Sequence, residues 1–345
     1  MFTVGVNNVP VTTPTQFDRF LPSNKMLGVS QRIPSPSARD RRSDSLKNQA
    51  RLARLKATVR LADLQKEVSS AWVQKKKNAE IREALRWQLK LINQLENWLT
   101  GKIEAGASVF GRFSELDVQR EQIQEQITAL DGEEMVLKAD LERLIGEDPV
   151  VDAPAVVVKP WHGDDSRFWE VQVAQGEMDV NRTVEKEREA AFAPDYGVGL
   201  SWQQREDSPI FKGDDWYSLN VSVTLPLWAR NNQQPKLDAA RRMVEMTRLR
   251  LDDAKRSSRK KYAVALAQMQ TAKKMVDVLE KRRQRLAGLL EANRNRYESG
   301  EGQQDDVVRP AIDDLKVKVD WIRQKANADL AALTINAMLA SGDEP

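Results

Sequence analysis

The chain contains no cysteine and a single histidine, His162. Disulfides, zinc–thiolate sites and cysteine nucleophiles are thereby excluded. A Ser-His-Asp triad, or a histidine-rich metal site, would have to rest on one imidazole. Long apolar runs are missing as well: no stretch approaches the ~18 residues that a membrane-spanning helix needs. Neither sign of charge dominates, with 54 Lys+Arg against 51 Asp+Glu in 345 residues and a formal net charge of +3. Apolar residues make up 41% of the chain, which argues against general disorder. Mean hydropathy is −0.59, and taken alone it suggests a soluble protein of two or three domains. The N-terminal Met1-Phe2-Thr3-Val4-Gly5-Val6 shows neither the basic nor the apolar region of an export signal. It begins inside a strand pattern. That reads either as a cytoplasmic protein or as a chain that has lost its beginning.

What the sequence does hold is a duplication. Val29–Pro34 resembles Val221–Pro226, Val4-Gly5-Val6 resembles Val198-Gly199-Leu200, and Ile103–Gly106 resembles Tyr297–Gly300, all at a nearly constant offset. The same offset pairs Leu85 with Leu279, Ile92 with Leu286 and Leu141 with Ile335. Each match is weak, but their colinearity is not. The first repeat is assigned to residues 1–146, with a β-hairpin at 2–34 and a long helical hairpin at 36–146. Residues 147–195 form a linker and a lead-in helix. The second repeat is 196–342, with a hairpin at 196–226 and helices at 232–342.

The hairpins are read from period-two alternation. Leu219, Val221, Val223 and Leu225 alternate with Asn220, Ser222 and Thr224, and Leu27, Val29 and Ile33 alternate with Gly28, Ser30 and Arg32. Pro34 and Pro226 then end each hairpin. The long helices that follow, near 38–99 and 235–293, would each run about 90 Å. After a Gly-containing break, a returning helix carries three- and four-residue apolar steps. These are Ile123, Ile127, Leu130, Leu137, Leu141 and Leu144 in one half, and Leu315, Val319, Ile322, Ala326, Leu330 and Leu333 in the other.

Two hairpins with one apolar and one Gly/Ser/Asn/Thr face fit a barrel with lipid outside and water inside. Such a barrel needs about eight strands or more, so four per chain implies closure between copies. Trp202, Trp216, Tyr217 and Trp228 near the strand ends suit an interfacial girdle. The alternative is a small soluble sheet capping a coiled coil.

These residues resemble the TolC-like outer-membrane factors of bacterial efflux systems. The resemblance covers almost the whole chain, and is carried by Tyr217–Pro226 with Leu227-Trp228, by Ala239-Ala240, and by Tyr297–Gly300 with Asp306-Val307-Val308. Val4–Pro10 and Val29–Pro34 look most like the CzcC-like heavy-metal branch. The resemblance implies a mainly α fold with a small β part: a long antiparallel helical barrel, plus four strands per protomer in a trimeric twelve-strand barrel. It also implies a homotrimer in the outer membrane with a periplasmic tunnel, a periplasmic adaptor, and an inner-membrane pump of the resistance-nodulation-division type. Family members carry an export signal, often a lipidated Cys, and a helix before the first hairpin. Their absence here reads as an N-terminal truncation.

By the same resemblance, Ala105, Gly106, Ala107 and Ser108, with Ser299, Gly300, Glu301 and Gly302, would form the tip where the adaptor docks. An ordinary hairpin turn is the other reading. Asp306 stands where the family places an acidic ring at the tunnel mouth, and Asp305 would substitute for it or add to it. Arg309 replaces the second family acid, and an Asp306–Arg309 pair on one helix is the simpler alternative. Pro310 is expected to make this helix irregular. Basic clusters follow both hairpins: Arg39, Arg41, Arg42, Lys47, Arg51 and Arg54, then Arg241, Arg242, Arg248 and Arg250. No nucleic-acid module accompanies them, so a site beneath the membrane, or a charged coiled-coil face, is the better reading. Asp164-Asp165 and Asp313-Asp314 are read as solvated acidic pairs without partners. No metal site, cofactor or catalytic constellation is expected. The function inferred is a passive efflux duct, with heavy-metal cations as cargo. A soluble coiled-coil scaffold is the alternative.

Overall fold

The computed structural model describes residues 1–9, 11, 14, 15, 23–105, 110–146, 156–207 and 212–340. The strands are β1 (Phe2–Asn7), β2 (Asn24–Ile33), β3 (Asp195–Gln204) and β4 (Trp216–Thr224). The helices are α1 (Pro36–Glu104), α2 (Phe110–Ile145), α3 (Trp169–Ala190), α4 (Gln233–Glu298) and α5 (Gln304–Met338). The order strand-strand-helix-helix therefore occurs twice, with α3 leading into the second occurrence. The chain divides into two compact units: Met1–Leu55 with Val173–Asp253, and Lys56–Gln172 with Ala254–Pro345.

The first unit holds the sheet. All four strands are antiparallel in the order β1-β2-β3-β4, so the two hairpins join through β2 and β3 into one sheet. Pro34 follows β2, and its missing N–H ends the ladder. Ser35 then starts α1, its Oγ accepting from the Ala38 amide at 3.2 Å, with Pro36 in the first turn where no donor is needed. On α3, Gly176 lets Leu52 of α1 come close: a Cβ there would lie 3.1 Å from Leu52 Cδ1. Arg241 of α4 reaches Glu185 and Glu189 of α3 at 3.5 and 3.6 Å. Much of the second basic cluster is thus matched by acids, with Arg248 also held by Glu245 at 2.7 Å.

The second unit is a helical core. The α1 seam of Ile81, Leu85, Ile92, Leu95 and Leu99 packs with Leu116, Ile123 and Leu130 of α2 and with Val308, Ile312, Val319 and Ile322 of α5. Burying each of these side chains is worth about 1.5–3 kcal/mol, which explains why helices that are polar on most of their surface stay together. A strap, residues 156–168, is tied to the end of α5. Asn336 accepts from the Lys159 amide and donates to the Val157 carbonyl, both at 2.7 Å. Phe168 forms a bridge with Leu339 and lies tilted against Trp161, which meets Tyr262 edge-on at 5.1 Å.

The acidic pairs differ from the expectation of solvated, partnerless surface. Asp165 accepts two hydrogen bonds from Arg259, at 2.8 and 2.5 Å, and Asp164 caps the turn at Asp165–Arg167 by accepting from Ser166. Asp314 receives Arg283 at 3.1 and 3.3 Å, and Asp313 lies 3.6 Å from Lys316. The partners Arg259 and Arg283 are remote in sequence, so adjacency gave no hint of them.

Candidate functional site

The sheet has two chemically distinct faces, and the register defines both. One face carries the rows Phe2–Val29–Leu200–Leu219, Val4–Leu27–Trp202–Tyr217 and Ile33–Tyr196–Val223. Among the described residues these side chains have no covering layer: Val4 is 81% exposed and Leu219 71% exposed. The opposite face carries the rows Thr3–Gly28–Ser201–Ser218 and Ser30–Gly199–Asn220, then Arg32–Gly197–Ser222. Glycine is required at two positions there. A Cβ on Gly28 would lie 3.2 Å from that of Ser201, and one on Gly197 would collide with Ser222 Oγ. An exposed apolar face backed by a polar face of small side chains is what lipid on one side and water on the other demand.

The aromatic residues sort by face. Trp202 and Tyr217 are register partners on the apolar face, and Tyr196 stands at its other end. Trp228 follows β4 and is 74% exposed. Trp216 is the exception among the expected girdle residues. It pairs with Gln203, in the polar-face row of Gly5 and Met26, and the Arg205 guanidinium lies over its ring.

The α4–α5 connection is a built turn. Gly300, at φ +80°, adopts the left-handed conformation that favours glycine. Its amide donates to the Tyr297 carbonyl at 3.0 Å, and the Glu301 amide donates to Arg296 at 2.9 Å, the paired bonds of a Schellman ending. Ser299 adds a hydroxyl bond to Arg296, and Gly302 sits so close to Tyr297 that a Cβ would lie 3.1 Å from its nitrogen. At the α1–α2 connection, the Ala105 amide closes the helix onto Gly101. Gly106, Ala107 and Ser108 lie outside the described residues.

At the start of α5 the acidic residues have separate tasks. Asp306 turns back to accept from the Gln303 amide at 3.1 Å, so it caps its own helix. Asp305 pairs with Arg112 of α2 and, one turn along, with Arg309 at 3.3 Å. Arg309 therefore pairs with Asp305 instead of Asp306. Burial works against the charge of Arg112, but the Asp305 and Glu115 carboxylates outweigh it and hold its pKa above the ordinary value. Pro310 lies inside α5, where its missing N–H would leave the Asp306 carbonyl unbonded. Asn293 of α4 supplies the donor, at 2.7 Å. The Asp305–Arg112 and Asn293–Asp306 contacts were not read from sequence. They bring together helices whose residues lie 193 and 13 positions apart.

Among the described residues, no group of three His, Asp or Glu is placed to hold a metal ion, and no helix is long and apolar enough to cross a membrane.

Residues 169–340 match the family described as Outer membrane efflux protein. The matched stretch spans α3 to α5, and so includes β3, β4, the Gly300 turn and the Asp305–Asp306 start of α5. Among solved structures, a membrane protein from Pseudomonas aeruginosa is 15% identical with a TM-score of 0.78, covering 99% of this chain and 83% of that one. The outer membrane protein VceC of Vibrio cholerae is 13% identical at a TM-score of 0.75, covering 98% and 86%. The open state of the Neisseria gonorrhoeae MtrE outer membrane channel is 15% identical at a TM-score of 0.79, covering 98% and 80%. The fold is therefore TolC-like along the matched stretch and the preceding half alike. No curated protein is found to match the sequence.

Proposed function

We propose that this chain is the outer-membrane channel of a tripartite efflux system, a passive conduit and not an enzyme. Residues 1–146 and 196–342 act as its two repeats, joined by 147–195. The observation that carries the reading is the sheet: a largely exposed apolar face backed by a face rich in Gly, Ser, Asn and Thr. Among the described residues, nothing covers that face and both sheet edges are open. Three copies would close a twelve-strand barrel in the outer membrane, with the long helices forming a periplasmic tunnel. The efflux-family match to residues 169–340 supports the same conclusion.

In this reading, the partners are a periplasmic adaptor and an inner-membrane pump of the resistance-nodulation-division type. The adaptor docks at the turns around Ala105–Ser108 and Ser299–Gly302. The Schellman turn at Gly300 supports this by giving that tip a fixed shape. Asp305, Asp306 and Arg309 line the tunnel mouth. The clasp from Asp305 to Arg112 holds α5 to α2 there, and the Asp306 carboxylate caps the helix. The cargo is assigned to heavy-metal cations on the likeness of Val4–Pro10 and Val29–Pro34 to CzcC-like subunits.

The test is detergent extraction followed by light scattering and planar-bilayer recording. A detergent-dependent mass of three 39.2 kDa chains, with discrete conductance whose cation preference falls in D306N, is expected. A monomer that stays in solution without detergent and gives no conductance favours the soluble scaffold and sinks the channel.

A further inference from the structure

Within the first unit, where the sheet meets the helices, lies a cavity of about 580 Å³. Its lining is of two kinds. Arg32, Arg39, Arg42 and Arg188 border it, against only two carboxylates, Glu187 and Asp195. Leu225, Leu227 and Trp228 border it too, and the last two are 73% and 74% exposed.

The charges do not cancel. Asp195 is already taken by Arg32, and Arg39 lies 3.6 Å from its own neighbour Asp40. Arg42 and Arg188 have no ion pair among the described residues. The helices add to the imbalance. Ala38 of α1 and Gln233, the first residue of α4, both line the cavity, and neither helix has an acidic residue in its first turn. Their positive ends are therefore uncompensated.

We propose that this cavity binds a phosphate-type oxyanion joined to an apolar group. That chemistry is shared by a phospholipid headgroup and by a soluble organophosphate. The free Arg42 and Arg188 forks suit the planar pairs of acceptor oxygens that such an anion presents. Leu225, Leu227 and Trp228 accept the apolar part. The site stands on the geometry of the first unit alone. Only its placement at the membrane boundary rests on the channel reading.

The test is isothermal titration of the full chain in non-ionic detergent. The probes are dihexanoyl phosphatidylglycerol below its micellar concentration, and inorganic phosphate. The variant is R42Q/R188Q. The control is R242Q/R250Q, which removes two exposed α4 arginines that do not line the cavity. Arg42 and Arg188 are themselves exposed, so their replacement leaves the fold intact, as circular dichroism will verify. Binding in the wild type and the control, weakened about tenfold or more in R42Q/R188Q, is expected. Tighter binding of the lipid than of phosphate supports the joined apolar group. Equal or weaker binding of the lipid means that the apolar lining takes no part, and overturns the proposal in that form. Unchanged affinity in R42Q/R188Q, or no binding of either probe by the wild type, overturns it whatever the oligomeric state.

Discussion

Asp165 and Asp329 are both aspartates in the helical unit, yet they tie stability to pH with opposite signs. The Arg259 hydrogen bonds hold the Asp165 carboxyl below the usual range against its partial burial, helped by the charges of Arg259 and Lys255. A depressed folded-state value stabilises the fold above the ordinary carboxylate pKa of about 3.9, and that support is lost as pH falls through the lower folded value. Asp329 is the reverse case. Burial pushes it up, and the charges of Lys325, Lys76 and Lys273 only partly oppose the rise. Its ionised form therefore weakens the fold, a penalty that grows as pH climbs from about 3.9 through the raised folded value. Thermal unfolding of D165N and D329N at neutral pH and near pH 3.5 separates the two. D165N should melt below wild type at pH 7 and D329N above it, and both differences should shrink in acid. A D329N protein no more stable than wild type at pH 7 would remove burial as the controlling cause.

At the scale of the element, β4 offers the sharpest test, because adjacent residues face opposite environments. Leu219 lies on the apolar face and Asn220 on the polar one. An arginine at a lipid-facing barrel position costs about 2–4 kcal/mol near the bilayer midplane, while one facing water costs little. L219R is expected to abolish the detergent-stable oligomer and N220R to preserve it, read by size-exclusion chromatography. If L219R assembles as well as N220R, the face assignment is wrong. The same strand shows what sequence reveals. Leu219, Val221 and Val223 alternate with small polar residues, and period two is local information, so the strands were legible. The joining of β2 to β3 was not, because Lys25 and Gln204 meet only in the folded sheet. At the tip, Gly300 announced its turn by its residue type. Asp305 gave no sign of Arg112, and Gln303 is not among the residues that usually start a helix, so the role of Asp306 as a cap stayed hidden.

For the whole molecule, averaging is what conceals the sheet. Long helices rich in Lys, Arg, Asp and Glu bring mean hydropathy to −0.59, and four short strands with one polar face cannot shift that figure. The backbone carries the opposite message. Among the described residues, β1 and β4 each pair along one edge only, leaving a row of amides and carbonyls open on the other. In water such an edge is a hazard for aggregation. In hydrocarbon it is not viable, since each unpaired group costs several kcal/mol. In the channel proposed above, these edges complete their hydrogen bonds with another copy. Hydrogen exchange reads this directly. In the detergent-solubilised oligomer, amides on both edges of β4, Trp216–Thr224, should be protected. On dissociation, the outward-pointing amides of β4 should exchange rapidly while those bonded to β3 stay slow. Fast exchange of that outer set in the intact oligomer would mean that the sheet stays open, and closure across copies would have to be abandoned.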